Sequence, residues 1–214
     1  MWGTTVRDFV QLNTLAEKYG DKLVILGFPC NQFGHQCYEK DFELLNTLKY
    51  VRPGDGYAPK FQLMTKSVVN GDEQEALWTF LKESIPYPCD DRGGTGSDFI
   101  YKPQPNDKPI QWSPVRRNDV SWNFEKFLID QEGVPFKRYS PKFDNKNIVP
   151  DIETLLNKWK FWFKYGKIWT QCTRKWRNFF NGLKLRSILI VIVWLVVRSI
   201  VVKFQRIAWV LTKV

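Results

Sequence analysis

Two short segments of this 214-residue chain carry amide and indole side chains that could build a chemical site. The run LGFPCNQFGHQ (26–36) passes from an apolar stretch into a polar turn that ends at Gln36, and the run WNFEKFLID (122–130) begins with Trp122 and Asn123. In α/β proteins, sites form at the carboxyl edge of the sheet, where such turns follow strands. Each segment alone is ambiguous, because a Trp at a strand start is commonly a core anchor and an adjacent Asn a turn former.

Helices and strands are predicted to alternate along the first 157 residues. Thr5 can cap a helix with Asp8 three residues on, and Gly20 can end it. The nearly continuous apolar run LVILGF (23–28) suits a strand buried on both faces of a parallel sheet. The other predicted elements are a helix in EKDFELLNTLKYV, a strand at 61–69, a helix in EQEALWTFLKES, a surface loop at 86–118, a hairpin of WNFEKFLID and VPFKRYS, and a last helix from Pro150. This order describes an α/β sandwich.

The charge divides the chain after residue 157. Residues 158–214 hold 13 of the 32 Lys and Arg and no acid, which leaves 19 basic residues and all 22 Asp and Glu in residues 1–157. The net charge of +10 therefore describes neither part. Six of the ten Trp also lie in residues 158–214. We predict a body at 1–157 and a basic extension, aromatic and hydrophobic, at 158–214.

The extension admits three interpretations. Its run ILIVIVWLVV (188–197) is interrupted by Arg198 at about half of the ~20 apolar residues that a membrane span needs, so association with a membrane surface fits better. The charge and the aromatic residues also suit nucleic acid, but no recognisable motif supports that partner, which is disfavoured. The third interpretation is that the extension is foreign to the domain family of the body.

The four cysteines, Cys30, Cys37, Cys89 and Cys172, show no paired spacing typical of a disulfide framework. With a single histidine, His35, they do not make a zinc set, and we predict no metal. A reducing compartment follows as the default, which places the body in the cytoplasm.

Taken together, the two segments resemble the glutathione peroxidase family. LGFPCNQFGHQ is close to the family signature, WNFEKFL matches its second active-site segment, and GTTVRDF (3–9) resembles the stretch after its peroxidatic residue. LKYVRPGDGYAPKF and WSPVRRNDVSWNF resemble the longer, typically tetrameric members. The resemblance covers residues 2 to about 156. It implies a thioredoxin-like α/β sandwich, an enzyme that reduces hydrogen peroxide and organic hydroperoxides with glutathione under oxidative stress, no further cofactor, and a homotetramer.

By that resemblance, the catalytic residues are the peroxidatic residue with a glutamine, a tryptophan and an asparagine, which match Gln36, Trp122 and Asn123. The residue before G-T-T should be selenocysteine or cysteine, yet Trp2 stands there. A helix N-terminus stabilises a selenolate or thiolate through its free N–H groups and its dipole. The amide and indole donors would add charge-assisted hydrogen bonds. Trp2 offers no nucleophile.

One hypothesis explains Trp2. Selenocysteine is encoded by UGA, one base from the tryptophan codon UGG, so a misread codon would write Trp where the native protein carries selenocysteine. The resemblance also implies a preceding segment with a sheet strand that leads into position 2. Without that strand, its neighbours would keep unpaired backbone groups, and we expect the 214-residue chain to be poorly stable.

The glutathione carboxylates are expected at basic residues. Arg7 is the best candidate, and Lys142 stands at one position where the family pattern R-Y-S-R-R-F has arginine. Lys keeps the charge but lacks the bidentate fork of Arg, which weakens the case for glutathione. The alternative to an enzyme is a catalytically inactive relative that acts as a scaffold or binding protein.

Overall fold

The computed structural model describes residues 4–90 and 110–157, and the backbone of 208–213. Trp2 and most of the predicted extension lie outside these residues. The described helices are α1 (Thr5–Tyr19), α2 (Asp41–Tyr50), α3 (Ala76–Ser84) and α4 (149–157), with short 3-10 turns at Gly20–Lys22 and Asn145–Ile148. The strands are β1 (Leu23–Phe28), β2 (Gln62–Leu63), β3 (Lys126–Ile129), β4 (Pro135–Tyr139) and β5 (Ala208–Lys213).

The described strands form one mixed sheet in the order β2-β1-β5-β3-β4. β1 is parallel to both of its neighbours, β2 and β5, while β3 is antiparallel to β5 and to β4. The prediction of a buried parallel strand at 23–28 is confirmed. The hairpin is confirmed as well: Asp130 Oδ1 accepts the backbone N–H groups of Glu132 and Val134, both at 2.9 Å, and Gly133 takes a φ of 83° in the turn.

Helices pack on the sheet through groups of buried side chains, two of which involve α1, α3 and α4. One group joins α1 and α4 to the sheet, through Leu12, Leu15, Ile25, Leu128 and Ile152 among others. The other packs α3 with the turn after β1, and its largest members are Trp78, Phe33 and Phe127. An α/β sheet with helices packed on it is the predicted α/β sandwich.

Two local predictions were wrong. Thr5 is the first helical residue and is buried; Thr4 holds the N-cap position and makes no side-chain cap bond. The Asp8 carboxylate, predicted to close a capping box, accepts hydrogen bonds from Arg7 and Asn145. The strand predicted at 61–69 shrinks to Gln62–Leu63, because the chain beyond it bonds to the turn after β1, with Ser67 N donating to the Pro29 carbonyl at 2.8 Å.

The backbone groups of β1 and β3 that face each other across the sheet are paired with β5. β5 pairs with β1 over six register positions and with β3 over four, so their facing backbone groups are occupied. The expectation of unpaired groups on these strands is therefore wrong for β1 and β3. The reason lies in residues 208–213, which reach the sheet from a distant part of the sequence. The division of the chain after residue 157 stays a prediction.

Candidate active site

The N-terminus of α1 lies at the carboxyl edge of the sheet. Only the three residues Gly20–Lys22 join α1 to β1, so the helix runs antiparallel to the strand and begins where the strand ends. Gly20 makes this reversal possible with a φ of 50°, a conformation that side chains with a Cβ rarely adopt. The first backbone N–H groups of a helix have no partner within it and carry its positive dipole end. This edge can therefore attract an anion.

Gln36 and Asn123 meet, although 87 positions separate them. Asn123 Nδ2 donates a hydrogen bond to Gln36 Oε1 at 2.9 Å, and both residues are partly buried. The turn that carries Gln36 follows β1, and Asn123 lies three positions before Lys126, the first residue of β3. Gln36 accepts this bond through its oxygen, and the amide nitrogen of a glutamine is a donor.

A chain of buried amides fixes these two segments to each other. Gln32 Oε1 accepts the backbone N–H groups of Val69 and Asn70 at 2.9 and 3.0 Å. Asn70 in turn donates to the Val120 carbonyl at 2.9 Å and accepts from the Val120 N–H at 3.0 Å. The ammonium of Lys82 binds the Asn70 side chain and the Asp119 carboxylate in the same buried region. The polar turn and the segment before β3 are thus linked through residues 69 and 70.

Trp122 is partly buried and packs edge-on against Phe33, with ring centroids 5.8 Å apart. On the other side of Asn123, Phe124 makes a T-shaped contact with Phe9 of α1 at 5.8 Å. Phe9 is fully buried in the second turn of α1. These aromatic contacts bring the turn after β1, the segment 122–124 and the start of α1 together.

A buried charge cluster under the start of α1 was not foreseen from the sequence. The Lys126 ammonium lies 3.9 Å from the Asp8 carboxylate and donates to the carbonyls of Ser140 and Phe143 at 3.1 and 2.8 Å. Asn145 Nδ2 donates to Asp8 at 2.8 Å. A lysine inside the apolar run after Asn123 was the one available signal, because a charged residue in a buried strand needs partners.

Burial shifts the ionisation of this cluster towards the neutral forms. Desolvation raises the pKa of the Asp8 carboxyl, and the nearby Lys126 and Arg7 charges oppose this rise only in part. Desolvation also lowers the pKa of Lys126 to about 8, against the pull of Asp8. Loss of solvent disfavours a charge more strongly than an ion pair at 3.9 Å favours it.

The two predicted glutathione residues differ in exposure. The Arg7 guanidinium donates to the Asp8 carboxylate at 2.8 Å and to the Pro141 carbonyl at 3.0 Å, and lies 3.6 Å from Asp144. Its side chain is 31% exposed, so one side still faces solvent. Lys142 is exposed on the neighbouring loop. His35 is an exposed turn residue with a φ of 51° that stacks on Tyr38.

Two other kinds of site are absent from the described parts of the chain. Residues 4–90 and 110–157 contain no cluster of three or more His, Cys, Asp or Glu side chains able to hold a metal ion. None of the described helices is long and apolar enough to cross a membrane.

Comparison with known proteins points to the family that the sequence motifs resemble. The family model for glutathione peroxidase matches residues 1–82. Human glutathione peroxidase 2 is 54% identical over 156 residues, which cover 73% of this chain and 78% of that protein. Bovine glutathione peroxidase 1 is 53% identical over 159 residues, 74% of each chain. A crystal structure of Trgpx in its apo form aligns with 72% of this chain at 25% identity, with a TM-score of 0.43.

The fold and the site define an α/β protein with a polar edge suited to an anion. The chain belongs to the glutathione peroxidase family. The predicted family and the thioredoxin-like fold class are confirmed, and the protein is a peroxidase-type oxidoreductase whose general chemistry is the reduction of peroxides.

Proposed function

We propose that the native protein reduces hydrogen peroxide and organic hydroperoxides with glutathione, using selenocysteine at the position written here as Trp2. The observation that carries this proposal is the hydrogen bond between Asn123 and Gln36 at the sheet edge where α1 begins. A protein without peroxidatic chemistry has no need to keep these donors together. The role in oxidative stress follows from the same proposal.

Each predicted residue has a role in this proposal. The helix N-terminus lowers the pKa of a selenol at position 2, because its free N–H groups stabilise the anion. Gln36, Asn123 and the Trp122 indole would donate charge-assisted hydrogen bonds to that anion. Arg7 and Lys142 would bind the carboxylates of glutathione, Arg7 through the side of its guanidinium that faces solvent.

The reaction balances with two glutathione molecules. The selenolate attacks one peroxide oxygen, the O–O bond breaks, and the departing oxygen takes a proton and leaves as water or an alcohol. One glutathione thiol then attacks the oxidised selenium and releases water. A second thiol regenerates the selenol, so that two thiols are oxidised to one disulfide while one peroxide is reduced. Trp2 supplies neither the nucleophile nor the electrons.

The experiment replaces Trp2. We expect the chain with Trp2 to show no peroxidase activity, the Trp2→Cys variant to show weak activity, and a variant with selenocysteine at position 2 to show more, in a glutathione-oxidation assay coupled to NADPH. The Trp2→Phe variant is the matched control and should stay inactive. An inactive selenocysteine variant with an unchanged fold would contradict the proposed function.

The second candidate is a catalytically inactive relative that acts as a scaffold or binding protein, and Trp2 itself favours it. Peptide mass spectrometry of the native protein separates the two candidates. A selenium-containing peptide across position 2 supports the peroxidase, whereas a tryptophan mass there supports the scaffold.

We also propose a homotetramer and contact of the extension with a membrane surface. The tetramer is supported by exposed apolar side chains on and around α2, because such a cluster is typical of an interface; they are Tyr38, Phe42, Leu45, Tyr50 and Val51. Multi-angle light scattering would measure the mass of the assembly.

Membrane contact is supported by the charge and aromatic content of residues 158–214. The cytoplasm remains the predicted compartment of the body.

A further inference from the structure

Lys82, in the last turn of α3, is a buried charge that the proposed chemistry does not use. Its side chain is 2% exposed, and desolvation lowers the pKa of its ammonium. The ammonium donates to four acceptors, which are the Val69 carbonyl at 3.0 Å, Asn70 Oδ1 at 3.1 Å, Asp119 Oδ1 at 2.9 Å and Gln74 Oε1. A charge without solvent needs such partners. These partners lie in two segments of the chain, each connected to one half of the candidate site.

On one side, Lys82 is connected to the polar turn after β1. Gln32, in that turn, bonds to the backbone of Asn70 twice: its Oε1 accepts the Asn70 N–H at 3.0 Å, and its Nε2 donates to the Asn70 carbonyl at 2.9 Å. Within the turn, Asn31 Oδ1 accepts the N–H of Cys37 at 3.1 Å, which holds together the loop that contains the predicted catalytic glutamine. The residue whose side chain binds Lys82 is therefore bonded through its backbone to this turn.

On the other side, Lys82 is connected to the segment that carries Asn123. The Asp119 carboxylate is oriented by two donors, since its Oδ2 accepts the Trp112 indole N–H at 2.9 Å and the backbone N–H of Arg116 at 2.7 Å. Its Oδ1 is the oxygen that meets Lys82. Asn123 lies only four positions after Asp119, so a shift of this carboxylate moves the backbone that carries the Asn123 amide.

The hydrogen bond from Asn123 to Gln36 completes a closed series of contacts. Lys82 lies within this series, because its ammonium binds both Asn70 and Asp119. The polar turn and the segment before β3 come from distant parts of the sequence, so their relative position depends on the groups that bond to both. An error of about 1 Å in the position of a catalytic group can cost about 100-fold in rate.

We propose that Lys82 is a positioning residue for the peroxidase reaction. Its ammonium, held between Asn70 and Asp119, places the Asn123 amide against Gln36, where both can bind an anion at the start of α1. Lys82 touches neither the substrate nor the reacting atoms and acts through Asp119. The role of the anion rests on the proposed function, whereas the placement of Asn123 does not, and the two are tested separately.

Heteronuclear NMR of the full-length chain with Trp2 in place tests the placement. Lys82→Met replaces the ammonium with an apolar group of similar length, so Asp119 loses a donor. We expect this variant to shift the side-chain amide signals of Asn123, which are identified by their loss in Asn123→Ala. The matched control is Ile152→Ala, a fully buried residue of α4 outside these contacts. It should lower stability in urea unfolding and leave the Asn123 signals in place. Unchanged signals in Lys82→Met, or an equal shift in the control, would overturn the proposal.

Asp119→Asn tests the same contact without removing Lys82, and it decides the outcome if Lys82→Met does not fold. The amide oxygen of asparagine can keep the bonds from Trp112 and Arg116, while an NH2 group, which cannot accept from the ammonium, replaces the oxygen that meets Lys82. We expect the Asn123 amide signals to shift in this variant too. Their absence of change in a folded Asp119→Asn chain would overturn the proposal.

The consequence for the reaction is measured in the Trp2→Cys background. We expect Lys82→Met to lower the rate of peroxide reduction at least about tenfold and to raise the pKa of the thiol at position 2, because its amide donor is displaced. Ile152→Ala should leave both near those of the Trp2→Cys parent, since loss of stability alone does not move a thiol pKa. A rate and a thiol pKa equal to those of the parent would contradict the role of Lys82. A Trp2→Cys parent with no activity and an ordinary thiol would instead contradict the proposed function, and the Asn123 signals would still decide the placement.

Discussion

At the scale of single residues, Asn123 is the clearest test of the site. Its amide lies within 2.9 Å of Gln36 and would donate to an anion at position 2. In the Trp2→Cys background, we expect Asn123→Ala to raise the pKa of the thiol introduced at position 2, because one stabilising donor is lost. The rate of alkylation by iodoacetamide as a function of pH measures that pKa.

The control for this prediction is Asn147→Ala in the same background, because Asn147 is an exposed amide outside the site. It should leave the alkylation profile unchanged. If Asn123→Ala and Asn147→Ala gave the same profile as the parent, Asn123 would not belong to the anion site.

A second prediction concerns Lys126 and how the free energy of unfolding depends on pH. Its pKa is lowered to about 8 in the folded chain, so between pH 8 and its ordinary pKa of about 10.4 the unfolded chain binds the proton and the folded chain does not. Stability contributed by this group therefore rises with pH across that window. Relative to Lys126→Met, we expect the native chain to gain about 2 kcal/mol in free energy of unfolding from pH 8 to pH 10.

Urea unfolding at several pH values measures this difference. The charged groups that act on Lys126 are Asp8, Arg7, Glu125 and Asp90. Lys146→Met is the control, because Lys146 is 69% exposed and should show no such slope. A difference that fell with rising pH would show that Lys126 is protonated in the folded chain.

At the scale of elements, the position of α1 depends on one aromatic side chain. Phe9 is fully buried and contacts Tyr57, Phe61 and Phe124. We expect Phe9→Ala to lower the free energy of unfolding by about 3–5 kcal/mol, because it leaves a cavity between α1 and the segment that carries Asn123. Chemical denaturation followed by circular dichroism measures the loss.

Val10→Ala is the matched control on the same helix, since Val10 is 47% exposed. It should cost less than about 0.5 kcal/mol. Similar costs for the two variants would mean that Phe9 does not anchor α1.

At the scale of the whole molecule, a separate prediction concerns the binding of the extension to membranes. Residues 158–207 carry 12 of the 13 basic residues of the extension, the other being Lys213, and no acid. We expect the full-length chain to sediment with vesicles that contain about 30% phosphatidylserine and to be released by salt, because charges near an anionic surface are screened. Vesicles of phosphatidylcholine alone are the control. Equal sedimentation with both vesicle types would exclude a charge-driven contact.

The sequence determined the local features whose physical cause is local. LVILGF predicts its own strand because a continuous apolar run needs burial on both faces, and Gly20 predicts the helix end because it accepts a positive φ. The motifs around Gln36, Trp122 and Asn123 identified the family. Local patterns gave the wrong N-cap at Thr5, since Thr4 holds that position. They also gave too long a strand at 61–69, where Ser67 donates to the Pro29 carbonyl.

Only the tertiary structure decided what depends on distant partners. The hydrogen bond between Asn123 and Gln36 and the cluster of Asp8 with Lys126 join residues far apart in sequence. The same holds for the strand between β1 and β3, which residues 208–213 supply. A strand is completed by whichever segment satisfies its backbone groups, and the sequence of the strand itself does not specify how far along the chain that segment lies.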